Sequence, residues 1–143
     1  MYKARNFTIK ELVHPWILRD IGEVNAWRRL DADALRDIDF IRDEWFKIHG
    51  SGVYCNQGPH DSRGLRPPDD PDGSKYSGHK KGDTFDLVPI NGRHGEFWVF
   101  VRDLMKYGQL RKINTMEDRA YTPTWTHCGY MNHDSGSLLI IKP

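Results

Sequence analysis

Apolar residues at Leu35, Ile38, Ile41, Trp45 and Ile48 recur at close to the helical period. Asp31 stands where an N-cap is wanted and Gly50 where a C-cap is wanted, so the pattern predicts a helix between them. A shorter helical turn is expected near Ile9 to Val13, halted by Pro15. GVYCN (52–56) is short, β-prone and preceded by a turn, and it reads as a strand. DTFDLV (83–88) reads as another strand. GEFWVFVRDLMKYG (95–108) reads as an amphipathic helix closed by Gly108, and KINTME (112–117), TWTHCGY (124–130) and SLLIIK (137–142) as three more strands. The order predicts an α+β domain with a central, mainly antiparallel sheet packed with helices. Between the strands at 52–56 and 83–88, residues 57–75 carry glycine, proline and aspartate in clusters and read as one long loop. A loop of that length in a compact domain is usually functional or disordered.

Composition narrows the picture. With 143 residues the chain is long enough for one domain and one core. Its 21 basic and 20 acidic residues leave a formal charge of +1. That balance argues against a nucleic-acid or membrane-surface binder, which usually shows a basic stripe. No apolar run approaches the roughly 20 residues that cross a bilayer. The N-terminal stretch MYKARNFTIKELVHPW lacks the continuous apolar segment of a secretion signal, so self-export is not expected. Cys55 and Cys128, 73 positions apart, are expected as free thiols, and five tryptophans imply a dense aromatic core or a ring-lined groove.

The chemistry concentrates in YSGHKKGDTFDL (76–87). His79 would end a loop, Gly82 would allow the reversal after it, and Asp86 would lie in the following strand. There Phe85 and Leu87 point into the core while Asp86 shares the other face with Thr84. A carboxylate inside an apolar strand is costly to bury unless it is paired or bound to a metal. A catalytic zinc takes three protein ligands, imidazole nitrogen and carboxylate oxygen among them, and leaves one position open. The third ligand must come from His14, His49, His60, His94, His127 or His133; His127, on an alternating strand beside Trp125, is the best placed.

Ser77, His79, Gly82 and Asp86 form S-x-H-x-x-G-x-x-x-D, and Trp125 to His127 form W-x-H. As a set, in this order and separation, they resemble the zinc D-Ala-D-Ala carboxypeptidase and L-alanyl-D-glutamate endopeptidase family, whose fold is shared by hedgehog signalling domains. The pattern is most similar to small phage-encoded members, in which GLRPP, YSxHKxG and TPTWxH recur. The resemblance implies a hedgehog/DD-peptidase-like fold, with residues 1–30 an N-terminal extension and 31–143 the core. It implies one Zn2+ held by His79, Asp86 and His127, with Arg66 contacting substrate and Arg63 as its competitor. It further implies a zinc-dependent peptidase acting on peptidoglycan stem peptides, delivered to the cell wall from the host cytoplasm or as part of a virion.

Two positions depart from that family. The small residue usual two before the aspartate is Thr84. The glutamate that many members carry three before the last ligand, as proton acceptor for the attacking water, is Thr124, which cannot act as a general base at neutral pH. Glu117 is the expected substitute, brought beside His127 by an antiparallel neighbour strand, with Asp118, His133 and Asp134 behind it. The alternative is a non-catalytic structural or binding module of a phage virion that keeps the fold.

Overall fold

The computed structural model describes residues 1–71 and 77–143. Its helices are α1 (Ile9–Leu12), α2 (Pro15–Arg29), α3 (Ala32–His49) and α4 (His94–Lys106), and its strands β1 (Val53–Tyr54), β2 (Phe85–Pro89), β3 (Thr115–Glu117), β4 (Thr126–Cys128) and β5 (Leu139–Ile141). A 3₁₀ turn spans Gly78–Lys80 just before β2. The class is α+β, as the pattern of elements predicts.

α3 obeys its sequence signals at both ends. The Asp31 carboxylate accepts the Ala34 N–H at 2.9 Å, and Gly50 takes the left-handed conformation at φ 62°. Leu35, Ile38, Ile41 and Trp45 are buried along one stripe, whereas Ile48, expected on it, is 65% exposed in the last turn. Pro15 does more than halt α1. It occupies the first position of α2, where a missing N–H costs nothing, and the His14 side chain caps the helix by accepting the Trp16 N–H at 3.2 Å. Only Ile17, Ala26 and Trp27 of α2 are buried, and Gly22 leaves helical geometry at φ 78°, so no clean periodic stripe announced this helix.

β1, β2 and β4 form an antiparallel sheet in that order, and β3 pairs with β5 in parallel. An antiparallel bridge between Thr115 and Gly129 joins β3 to β4. The strands therefore follow one another as β1-β2-β4-β3-β5, with β4 at the centre. Phe85 and Leu87 on β2 face a core built from α3, Phe97 and Val101 of α4, and Met116 of β3. Phe7, Ile9, Leu12, Val13, Ile17, Ala26, Trp27 and Leu30 belong to the same core, so the residues before 31 are built into it.

Two aspartates on α3, Asp37 and Asp39, are 2% and 1% exposed, and among the described residues no cationic side chain comes closer to them than the 3.8 Å of Arg5 to Asp39. They accept backbone N–H groups instead. Asp37 takes those of Arg111, Lys112 and Ile113 at 2.7–2.8 Å, fixing the approach to β3. Asp39 takes those of Arg5 and Asn6 and the Tyr2 hydroxyl, fixing the N-terminus.

Candidate metal centre

His79 sits on the 3₁₀ turn, and Ser77, the residue before the turn, caps it by accepting the His79 N–H at 3.3 Å. Its ring is oriented from behind: Nδ1 lies 3.1 Å from the Gly64 carbonyl. With the proton on Nδ1 that contact is a donated hydrogen bond, and Nε2 presents its lone pair toward Asp86 Oδ2, 3.3 Å away. Gly64 reaches that position because it has no side chain; a Cβ there would stand 2.1 Å from the Leu12 carbonyl oxygen. Gly82 makes the reversal the sequence predicts. Its φ is +83°, and a Cβ would meet the Arg29 carbonyl at 2.1 Å.

The β2–β4 register places Asp86 opposite His127, and Asp86 Oδ1 lies 3.0 Å from His127 Nδ1. One ligand atom from each of His79, Asp86 and His127 falls within 4.8 Å of the other two. Ligand bonds of about 2.0–2.1 Å in a tetrahedron separate neighbouring donor atoms by roughly 3.4 Å, close to the 3.3 Å and 3.0 Å at which the two histidines approach the two separate oxygens of Asp86. Two imidazoles and a carboxylate suit zinc; the same donor set also serves iron(II). The three residues could hold a metal ion through His79 Nε2, a carboxylate oxygen of Asp86 and His127 Nδ1. Each comes from a separate piece of backbone.

Electrostatics in the metal-free site follow from these contacts. Burial alone would push the Asp86 pKa up, but the neighbouring His79 and the hydrogen bond from His127 overcome it and hold the carboxyl well below the usual range. For His127 burial works against the charged ring, and the hydrogen bond and charge of Asp86, helped by Glu117, outweigh it and raise the pKa.

Glu117 approaches the same ring nitrogen of His127 as Asp86 does, from the neighbouring strand β3. Continuing the Thr115–Gly129 pairing by two residues puts Glu117 opposite His127, and Glu117 Oε1 is 3.4 Å from His127 Nδ1. Its backbone is fixed by the Trp98 indole, which donates to the Glu117 carbonyl at 3.1 Å. Arg66 approaches from the Asp86 side, its guanidinium 3.8 Å from Oδ2, and its Nε donates to the Ser62 carbonyl. Arg63 turns elsewhere, over the Tyr54 ring and toward the Cys55 carbonyl.

Three of the other candidate histidines take structural places. His14 caps α2, the His49 ring lies against Trp45 at 3.6 Å between centroids, and His133 accepts the Ser135 N–H. Asp118 accepts the Ala120 N–H and closes a turn. Cys55 and Cys128 are buried free thiols, their pKa values pushed well up by burial. The loop expected over 57–75 is described as far as residue 71; its last residues, and Tyr76 of the motif, lie outside the described residues. The roles of the Gly64 carbonyl and Trp98 carried no signal in the sequence, because both act through contacts 15 and 19 positions away.

Compared with protein families, curated proteins and solved structures, the chain has no match in any of the three.

Proposed function

We propose that the protein is a zinc-dependent peptidase of the hedgehog/DD-peptidase type that hydrolyses peptidoglycan stem peptides. The observation that carries this reading is the convergence of His79, Asp86 and His127 with a further carboxylate, Glu117, within 3.4 Å of His127 Nδ1. The motif set S-x-H-x-x-G-x-x-x-D and W-x-H supplies the substrate class by resemblance. Zinc bound there would polarise a scissile carbonyl and make an attacking water acidic enough to ionise near neutrality.

The chain's own groups supply the rest. Glu117, held by Trp98 through its carbonyl, accepts the proton of the attacking water and returns it to the leaving amine. It takes over the role that Thr124 cannot fill. Arg66 is anchored at the rim of the site and presents a cation to a substrate carboxylate or carbonyl. His79 and His127 stay neutral as ligands, with the Gly64 carbonyl fixing the His79 tautomer.

The test combines elemental analysis with digestion of purified peptidoglycan. About one zinc per chain and release of stem peptides by the wild type, both lost in His127→Ala, are the expected results. A zinc-loaded wild type that leaves peptidoglycan intact would overturn the enzyme reading and favour a binding module of a virion, the reading that Thr124 favours. Iron rather than zinc in the purified protein would redirect the chemistry.

A further inference from the structure

We infer that Thr84 is a positioning residue for the metal centre: it is the spacer that sets how far apart the two histidine-bearing segments stand. The inference rests on the metal-binding part of the reading above.

The β2–β4 pairing sets Asp86 against His127 and Phe85 against Cys128. One step further along the same register, Thr84 stands opposite Gly129. Thr84 and Asp86 therefore share one face of β2, with Gly129 and His127 on the matching face of β4. A Cβ on Gly129 would lie 2.8 Å from Thr84 Oγ1, 3.0 Å from its Cγ2 and 3.3 Å from His127 Nε2. The Thr84 side chain thus occupies the space where residue 129 would place its own. His127 Nε2, the ring nitrogen turned away from Asp86, borders the same space.

The other side of Thr84 meets the 3₁₀ turn. A Cβ on Gly78, the residue before His79, would fall 2.1 Å from Thr84 Oγ1 and 3.1 Å from its Cβ. Neither Gly78 nor Gly129 has a left-handed φ, so it is space and not backbone conformation that requires glycine at both. One buried threonine, 1% exposed, is wedged between the segment carrying His79 and the strand carrying His127.

Threonine suits the task. Branching at Cβ restricts χ1, and the hydroxyl donates to Asp83 Oδ1 at 3.2 Å, so the wedge is stiff. The extra bulk at a position that is small in the family the motif resembles is matched here by two glycines facing it. Groups that orient metal ligands from outside the first coordination sphere typically change affinity by about 10- to 100-fold when removed.

The experiment is a steric cycle read by metal binding. Zinc affinity is measured by chelator competition, and the cobalt(II) absorption spectrum reports ligand geometry. The thermal midpoint of each metal-free protein is recorded alongside. Thr84→Ala is expected to weaken zinc by about tenfold or more and to alter the cobalt spectrum, with Thr84→Ser retaining more of both. Gly129→Ala is expected to weaken binding at least as much. The double variant Thr84→Ala, Gly129→Ala is expected to recover much of that loss, because the new methyl fills the space the threonine vacated.

Thr84→Ala that binds zinc within twofold of wild type with an unchanged cobalt spectrum would overturn the inference. So would a Gly129→Ala defect that Thr84→Ala fails to relieve. If Gly129→Ala does not fold alone, the Thr84 series still decides. A wild type that binds metal but hydrolyses nothing ends the peptidase reading and leaves this inference standing; a wild type that binds no metal ends both.

Discussion

Asp86 has a histidine on either side and an arginine behind it, and that arrangement links metal binding to protons. In the metal-free protein His127 has a raised pKa, so its contribution to stability is fully present below its unfolded value near about 6.5 and is lost as pH rises through the raised one. Asp86 has a depressed pKa. Its contribution is present above the unfolded value near about 3.9 and is lost as pH falls toward the folded one. The metal-free protein should therefore draw most from this site between roughly pH 4.5 and 6.5, while metal, which needs neutral His127, should bind more tightly as pH rises. Thermal midpoints across pH, with chelator and with zinc, check both signs. A metal-induced gain in midpoint that shrinks with rising pH would contradict the assignment of His127 as a ligand. Glu117→Gln separates binding from proton transfer. Zinc should stay bound, and turnover of peptidoglycan should fall by about 10²- to 10⁴-fold.

At the scale of elements, the site depends on β3 lying beside β4, and Asp37 is what brings β3 there. It satisfies three consecutive backbone N–H groups at residues 111–113 from 74 to 76 positions away. Asp37→Ala would remove the acceptor from all three, that of Ile113 buried, and should cost on the order of 3 kcal/mol, measurable by denaturant unfolding. Asn at 37 should recover part of it, since one carbonyl oxygen replaces two carboxylate oxygens. The elements also show how far local pattern reaches. α3, with its caps and stripe, and the strands around Asp86 and His127 were legible, because each rests on local periodicity and caps. α2 was not, because its buried positions are few and Gly22 interrupts it. Pro15 read as a stop is the same residue that starts α2; local chemistry allows both readings, and the core chooses.

At the scale of the molecule, a bound ion would tie together three pieces of backbone: the turn before β2, β2 itself and β4. Loading with zinc should then raise the thermal midpoint, a chelator should abolish that gain, and His127→Ala should show none. The N-terminal thirty residues are the other global tie. Removing them strips Leu12, Val13, Trp27 and Leu30 from the core, and the remainder is expected to be unfolded or insoluble, judged by circular dichroism and size exclusion. A truncated chain that stays folded and binds metal would make residues 1–30 the extension that the motif resemblance implies.

The sequence by itself determined what was local: the α3 caps, the turn at Gly82, the alternation that turns Asp86 away from the core, and the residue types of a His-Asp-His donor set. Only the tertiary structure decided which histidine completes that set, because pairing β2 with β4 joins positions 41 residues apart. It also decided that Glu117 faces His127 and that the guanidinium of Arg66, not that of Arg63, reaches the Asp86 carboxylate. The physical reason is common to all of these. Periodicity and capping act within a turn or two of chain, whereas register, close approach at glycine and buried hydrogen bonds are settled by packing between segments that the sequence keeps apart.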